Sequence, residues 1–322
     1  MGQVKPAYRI EINGADLTTK YGSVLESISV TDEAGIKSDT CEISIDDRDS
    51  FDVPGIGAEV RVWLGYEPTP IYMGRYTVTS LRKSGFPRKC AISAAAADLT
   101  SKIRVQKLRS FHQTTVRAIV EQIAATHGLK PVVDVGIGAR VIDHIDQQTE
   151  SDVSFLSRLA ARQGASFKIG DGKLLFAAKG SKSRADGTVK EAIVLQSTEV
   201  SSWEAEWSKR GDVDGATTQY MDHAAGKRRT STAGSENLKH RDRRLYGSKA
   251  EAEAAAKANL DDRTRSQLTV SVNGPGDPRL YADGSVTLKG FDAAIDRTYR
   301  ATRVTHTFSG QGYTTGTDLE GS

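Results

Sequence analysis

The chain has very little cysteine and no long apolar run, and both shortages limit what it can be. Its only cysteines among 322 residues are Cys41 and Cys90, each within an apolar-leaning, strand-like segment. We interpret them as buried free thiols, with a disulfide as the less favoured alternative, because neither has the neighbours of a reactive thiol or a zinc ligand. No run approaches the roughly 20 apolar residues that a membrane-spanning helix needs, and the first residues lack the apolar core of a signal peptide. We therefore expect a protein that is made in the cytoplasm and has no membrane span.

Motifs for catalysis, metal binding and nucleotide binding are missing as well. The six histidines form no HExxH, HxH or Cys/His ligand pattern, so we predict no metal site. No GxGxxG, P-loop or GxSxG sequence occurs, which leaves cofactor binding and a nucleophilic serine without support. Two acidic patterns remain, His144 with Asp146 and Glu204 with Glu206, and a spacing of two residues is ordinary for the exposed face of a strand. The sequence therefore predicts a protein that is not an enzyme and needs no cofactor.

Positive and negative side chains are also nearly balanced in number. The chain has 44 Lys and Arg against 41 Asp and Glu, a formal net charge of +3, so the overall composition does not demand nucleic acid as a partner. Basic residues concentrate in the polar stretch 222–244, with runs at Lys227–Arg229 and Lys239–Arg244. We predict a solvated loop there, with phosphate contacts as the alternative.

The clearest positive feature is that two stretches about 225 residues apart are similar to each other. In each, an alternating strand is followed by a Gly-containing turn, a second alternating strand, a Gly-aromatic pair and a further strand that begins at a tyrosine. The Gly-aromatic pairs are Gly65-Tyr66 and Gly290-Phe291, and the tyrosines are Tyr76 and Tyr299. A repeated β-module predicts that one surface is used twice, which suits assembly better than chemistry.

Hydrophobic periodicity divides the chain into three parts. Apolar residues alternate from Tyr8 to Ala97 and turn residues interrupt them, which is typical of an antiparallel barrel or sandwich. We therefore predict a mainly β fold with an α+β insert: two antiparallel β-modules, each a barrel or a sandwich, plus a small helix-and-hairpin domain. The predicted ranges are 1–110 for the first module, 111–180 for the insert and 181–322 for the second module, with a helix at about 249–263.

The insert is expected to contain two helices and a hairpin. The first helix is capped by Thr114 or Thr115 and stopped by Gly128, and the second runs from about Ser151 to Gly164. A hairpin follows, with its turn at residues 170–172. The helix at 249–263 begins after Ser248, is rich in alanine and has little apolar surface, so it needs a neighbour with a shallow groove, such as the outer face of a barrel.

The three tryptophans are candidate anchors for the core or for an interface. Trp203 and Trp207 lie four residues apart, which places them on one face of a strand as well as of a helix. Trp63 lies in the alternating strand of the first repeated stretch. Large aromatic side chains contribute more to cores and interfaces than to binding a small ligand in this pattern.

Three segments carry a family resemblance. Thr114–Leu129 reads TTVRAIVEQIAATHGL, Gln147–Phe176 reads QQTESDVSFLSRLAARQGASFKIGDGKLLF, and Asp296–Thr315 reads DRTYRATRVTHTFSGQGYTT. The middle segment, an acidic helix start followed by a hairpin, is the most specific. With these segments the chain resembles the late control gene D family of contractile phages, the tail or baseplate hub proteins related to the hub part of type VI secretion spikes (VgrG). Its length is similar to that of a phage tail or R-type bacteriocin hub.

The resemblance implies a structural protein that works as a homotrimer. Each copy supplies two barrels similar to the tail tube protein, so three copies present a ring of six modules that joins the six-fold tail tube to the three-fold central spike. The implied partners are the chain itself, the spike protein and the tube protein or tube initiator, with the tape measure protein and the baseplate wedge as further contacts. The helix after Ser248 is expected to pack beside the second barrel.

Two other functions remain as alternatives. One is a peptidoglycan hydrolase delivered with the tail, for which Glu204, Glu206 and His144 are the candidate residues. The other is a DNA-binding regulator, which draws only on the basic stretch 222–244 and lacks a recognition helix.

Overall fold

Strands dominate the structure, a computed structural model that describes residues 5–35, 38–96, 101–170, 172–179, 192–207, 215–222, 225–235, 239–265 and 268–321. Of the described residues, 58% lie in strands and 18% in helices, so the predicted mainly β class is confirmed. Within the described residues, buried apolar side chains form three large clusters, one in each β-module and one in the insert.

The first module consists of seven antiparallel strands and one short helix. Their alternating apolar residues, such as Ile43, Val62 and Ile92, point into one core and are almost fully buried. The elements are β1 (Pro6–Ile12), β2 (Ala15–Asp16), α1 (Thr18–Gly22), β3 (Leu25–Glu33), β4 (Thr40–Asp46), β5 (Glu59–Tyr66), β6 (Ile71–Ser84) and β7 (Lys89–Ala96).

The insert has the two predicted helices and the hairpin. Its elements are β8 (Gln106–Thr115), α2 (Val116–Thr126), β9 (Lys130–Val133), α3 (Val135–Gly138), β10 (Val141–Ser151), α4 (Asp152–Gln163), β11 (Ala165–Gly170) and β12 (Lys173–Ala178). Strand β8 pairs with β10, and β11, β12 and β9 form a three-stranded sheet. Residue Asp171 of the predicted turn lies outside the described residues.

Side-chain caps fix the ends of the insert's helices. The Thr115 hydroxyl accepts a hydrogen bond from the Ala118 amide at 3.2 Å, and the Ser151 hydroxyl accepts one from the Ser154 amide at 3.2 Å. Each satisfies an amide that has no partner within its helix. Helix α4 ends at Gly164 with φ 64°, a conformation that glycine adopts without strain. The predicted starts at Thr115 and Ser151 and the stop at Gly164 are confirmed.

The C-terminal part contains the second module and a separate small sheet. Its elements are β13 (Ile193–Gln196), β14 (Ser202–Trp207), β15 (Gly215–Asp222), β16 (Lys227–Gly234), β17 (Lys239–Tyr246), α5 (Lys249–Arg265), β18 (Leu268–Pro275), β19 (Ser285–Lys289), β20 (Thr298–Ser309) and β21 (Gly312–Gly321). Strands β13, β14 and β18–β21 build the second module, whereas β16, β15 and β17 form their own three-stranded sheet.

The two modules share one 13-stranded sheet. Strand β3 pairs antiparallel with β20, and the sheet runs in the order β14-β18-β21-β20-β3-β4-β7-β6-β5-β1-β2. Strand β13 pairs with β19, which pairs with β20. Tyr313 of β21 is buried in the core of the first module. The sequence pattern indicates both sets of strands but not this joining pair, because the partners Ser29 and Thr307 are 278 residues apart.

The basic stretch predicted as a solvated loop is instead largely strand. Residues 227–234 and 239–246 are β16 and β17, and both pair with the central strand β15. Their exposed basic side chains hide the strand pattern, since only one face of the sheet is covered. Pairing with β15 therefore overrides a weak local signal, as is common for strands. The loop prediction for 222–244 is wrong in these two ranges.

Helix α5 covers that small sheet and contacts α4, and it also touches strand β21 of the second module. Its buried residues in the described part are alanines, Ala252, Ala255, Ala256 and Ala258, and these small side chains allow the helix to approach β15 and β16 closely. The Thr218 hydroxyl of β15 donates to the Ala252 carbonyl at 2.8 Å. The shallow groove that this polar helix needs is thus supplied by β15 to β17.

Candidate assembly surface

The repeated tyrosines occupy the same place in two different strand pairs. Tyr76 of β6 faces Val60 of β5 across the sheet, and Tyr299 of β20 faces Val286 of β19. Both tyrosines are almost fully buried. Each hydroxyl donates to a carbonyl a few residues earlier in the chain, Tyr76 to Met73 at 3.1 Å and Tyr299 to Ile295 at 2.8 Å.

The two Gly-aromatic pairs lie in different surroundings. The Tyr66 hydroxyl donates to the Gly276 carbonyl at 2.9 Å, and its ring meets that of Tyr313 edge-on at 5.5 Å. Tyr66 therefore attaches the first module to the second within one chain. Phe291 packs on the core of the second module, and its ring meets that of Trp203 edge-on at 5.9 Å. Phe291, the residue of the second module that corresponds to Tyr66, thus faces edge strand β14.

Two of the tryptophans are surface residues. Trp203 and Trp207 are 44% and 60% exposed, and both lie on β14, which ends the 13-stranded sheet. Trp63 is half-buried in β5, between the Tyr72 ring at 5.2 Å and the Arg9 guanidinium at 4.8 Å. Exposure rules out a core role for Trp203 and Trp207. Exposed aromatic groups on a sheet edge are typical of a contact surface.

The histidine considered for catalysis has polar neighbours that the sequence did not reveal. His144 Nε2 is 3.1 Å from Asp146 Oδ2, and its Nδ1 is 3.0 Å from Nδ1 of His112. The Ser110 hydroxyl donates to Asp146 Oδ1 at 2.6 Å, which lowers the pKa of that carboxyl. The serine thus contacts the carboxylate and not the imidazole, which is not the order of a Ser-His-Asp triad.

A buried carboxylate holds the insert together, and sequence reasoning missed it. Asp152, the first residue of α4, is fully buried and accepts hydrogen bonds from Lys107 Nζ at 2.6 Å, Gln147 Nε2 at 3.0 Å and Arg109. His127 Nε2 lies 2.7 Å from it. Burial by itself would raise the pKa of Asp152, but these partners outweigh burial and the pKa is lowered. The available signal was the acidic start of the most specific family segment, but the partners of Asp152 come from β8, from β10 and from the residue that follows α2.

A second missed cluster joins all three parts of the chain. Lys168 of β11 donates to Asp32, to Asp39 Oδ1 at 2.8 Å and to the Glu33 carbonyl at 3.3 Å. Asp32 Oδ2 also accepts the amide of Ala282 from the second module at 2.9 Å. Burial raises the pKa of Asp39 to about 6, against the opposing effect of Lys168. This cluster connects the insert to both modules at one point.

Over the described ranges, no group of three or more His, Cys, Asp or Glu side chains is arranged to hold a metal ion. None of the helices within those ranges is both long and apolar enough to span a bilayer.

Comparison with known proteins gives consistent matches. A family model described as the phage tail baseplate hub, GPD, matches residues 75–312. The chain is 28% identical to the probable baseplate hub protein of Escherichia phage 186, covering 98% of this chain and 92% of that protein. Its fold is similar to that of the tail protein from Neisseria meningitidis MC58, with a TM-score of 0.76, 15% identity and 99% and 97% coverage. It is also similar to a component of the E. coli type VI secretion system, with a TM-score of 0.62, 11% identity and 97% and 77% coverage.

Proposed function

Because this chain belongs to the phage tail baseplate hub family, its role is structural within the phage tail, and we propose that it works as a homotrimer joining the six-fold tail tube to the three-fold central spike. Each copy then supplies two modules to a ring of six positions. The partners in this proposal are further copies of the chain, the central spike protein and the tail tube protein or tube initiator. The tape measure protein and the baseplate wedge are further proposed contacts. The protein is made in the bacterial cytoplasm and becomes part of the baseplate.

The observation that carries the proposal is the shared sheet with two unlike ends. One end is β14 with its exposed tryptophans, and the other is formed by β1 and the two-residue strand β2. A contact between unlike surfaces repeats from copy to copy, and it closes a ring when the rotation per copy is a fraction of a full turn. The ends of this sheet are therefore suited to a closed ring rather than to a symmetric dimer.

The contact between modules within one chain offers a pattern for the contact between copies. Tyr66 of the first module touches Gly276 and Tyr313 of the second. Its counterpart in the repeat, Phe291, lies beside Trp203 at the free end of the sheet. We infer that Phe291 and Trp203 meet the first module of the next copy, so that contacts within and between chains alternate around the ring.

The test is the oligomeric state of the wild type and of a Trp203→Ala/Trp207→Ala variant, measured by light scattering with and without the spike trimer. We expect the wild type to form a trimer on the spike and the variant to lose that assembly. Leu108→Ala is the matched control, because Leu108 is 81% exposed but lies on β8 of the insert. A wild type that stays monomeric at high concentration and also fails to bind the spike overturns the proposal.

Enzymatic activity is not part of the proposed function. Ser110 contacts Asp146 rather than His144, and Glu204 and Glu206 lie on β14, in a different sheet. No observation thus favours the peptidoglycan hydrolase alternative. Wild-type protein is expected to leave the turbidity of a cell-wall suspension unchanged, whereas clearing that is lost in Glu204→Gln or Glu206→Gln would contradict this.

A further inference from the structure

A cleft of about 750 Å³ lies between the insert and the small three-stranded sheet. Strand β10 forms one wall, β17 forms the other, and α4 contributes two arginines, Arg158 and Arg162. Cavities of about 300–1,000 Å³ are of the size at which proteins bind ligands. None of the residues of the proposed ring contact lines this cleft, so its use is independent of the ring.

The two arginines of α4 lie one turn apart but differ in their partners. Arg158 is paired with Glu150, and its Nη2 donates to the Asp146 carbonyl at 2.5 Å. Arg162 has no ion pair among the described residues, and its buried Nε has no hydrogen-bond acceptor there. A buried donor without a protein acceptor is rare in native proteins, and a bound water or ion is one of its ordinary explanations.

The position of Arg162 leaves it able to bind an anion. Its guanidinium lies 5.3 Å from the centre of the Tyr246 ring, so the ring covers one face while the N–H groups project from the edge. Burial lowers the pKa of Arg162, and the charges of Arg158 and Arg244 add to this effect. Within the part of the chain that is described, Arg244 is exposed and has no ion pair either. Neither guanidinium is therefore held in an ion pair in that part of the chain, although Asp242 Oδ1 accepts the Arg244 backbone amide at 3.0 Å and its charge acts on Arg244.

The acidic residue that acts on Arg162 is engaged elsewhere. Glu251 Oε2 accepts the Gly247 amide at 3.2 Å, and the Glu251 amide donates to the Ser248 hydroxyl at 3.3 Å. These contacts hold Glu251 at the start of α5. Among the described residues, no ion pair joins Glu251 to Arg162, although the charge of Glu251 acts on that guanidinium.

We propose that this cleft binds an acidic segment of a partner polypeptide, with a carboxylate seated between Arg162 and Arg244. A guanidinium binds a carboxylate through two parallel hydrogen bonds, which suits the free edge of Arg162. Met221 and Leu245 provide an apolar wall for a neighbouring side chain of that segment. A polypeptide fits better than nucleic acid, because Asp146 and Glu150 also line the cleft and would repel a continuous row of phosphates.

The experiment uses a short fluorescein-labelled peptide that carries one Glu next to a Leu in an otherwise uncharged sequence, and it measures binding by fluorescence anisotropy at low salt. Arg162→Gln/Arg244→Gln is expected to weaken this binding at least about tenfold relative to the wild type. The matched control is Arg82→Gln/Lys289→Gln, which removes two exposed positive charges from strands β6 and β19, neither of which lines the cleft. We expect its affinity to equal that of the wild type.

Arg244→Gln alone keeps the test valid if loss of the half-buried Arg162 unfolds the protein, because Arg244 is exposed. We expect several-fold weaker peptide binding for this single variant. Equal affinity of wild type and Arg244→Gln overturns the proposal, as does equal weakening by the Arg82→Gln/Lys289→Gln control. Tighter binding of a single-stranded DNA oligonucleotide or of inorganic phosphate than of the peptide also overturns it, since the occupant is then not an acidic polypeptide.

Discussion

At the residue scale, the buried and half-buried carboxylates of this hub protein form ion pairs with Lys and Arg side chains from distant strands. Asp152 meets Lys107 and Arg109, while Asp32 and Asp39 share Lys168. The sequence indicated the repeated tyrosines, because a repeat is visible along the chain. It did not indicate these charge clusters, because Lys168 is 136 residues from Asp32 and no local pattern relates them.

Asp39 gives a prediction for the pH dependence of stability. Its pKa is raised from an ordinary 3.8 to about 6. The contribution of this carboxyl to the free energy of unfolding is therefore fully present below pH 3.8 and is lost as the pH rises through about 6. The Asp39→Asn variant has an uncharged amide at this position and escapes this loss. We expect its free energy of unfolding to rise relative to that of the wild type by about 1–3 kcal/mol between pH 4 and pH 7.

Urea unfolding at several pH values measures this difference. Asp49→Asn is the control, because Asp49 is an exposed carboxylate of the first module. Lys168→Met should cost about 2–4 kcal/mol at pH 7, since it leaves two partly buried carboxylates without their cation. Parallel pH profiles for the wild type and Asp39→Asn would contradict the assignment of the raised pKa to Asp39.

At the scale of elements, helix ends were easier to predict than strand partners. The caps at Thr115 and Ser151 depend on residues next to the helix, so the sequence contains the whole signal. Strands β16 and β17 exist because β15 pairs with both and α5 covers them. That information lies in tertiary contacts, which is why the basic stretch was mistaken for a loop.

The alanine face of α5 gives a prediction about packing. Ala256 is fully buried in the contact region of the helix, so the larger side chain of Ala256→Leu must displace its neighbours. Overpacking of this kind costs about 1–3 kcal/mol. Lys257→Leu, at the next and exposed position of the same helix, should change stability by less than about 0.5 kcal/mol. Urea midpoints of the two variants check this, and equal midpoints would show that α5 is not closely packed.

At the scale of the whole molecule, the shared sheet couples the two modules. The sequence predicted two modules and an insert, but not the pairing of β3 with β20 or the burial of Tyr313 in the first core. Gly276 lies against Tyr313 so closely that a Cβ atom added there would be 2.0 Å from the ring. The junction between the modules therefore requires glycine at this position.

A double-mutant cycle tests this junction. Gly276→Ala should destabilise the protein by more than about 2 kcal/mol because Tyr313 cannot move aside within a packed core, and Tyr313→Ala should cost about 3–5 kcal/mol. Once the ring is removed, the added methyl group has room, so the double variant should be far less unstable than the sum of the two. Urea unfolding followed by tryptophan fluorescence measures all three variants. Simple additivity would mean that the two residues do not touch.

The pairing of β3 with β20 also sets the order of events during synthesis. Thr307 leaves the ribosome 278 residues after its partner Ser29, which takes about 15–55 s at ordinary rates of translation. Until then β3 has an open edge and the first core lacks Tyr313. An unfinished chain therefore lacks a complete first module, and only a chain translated to its last strands is ready to assemble.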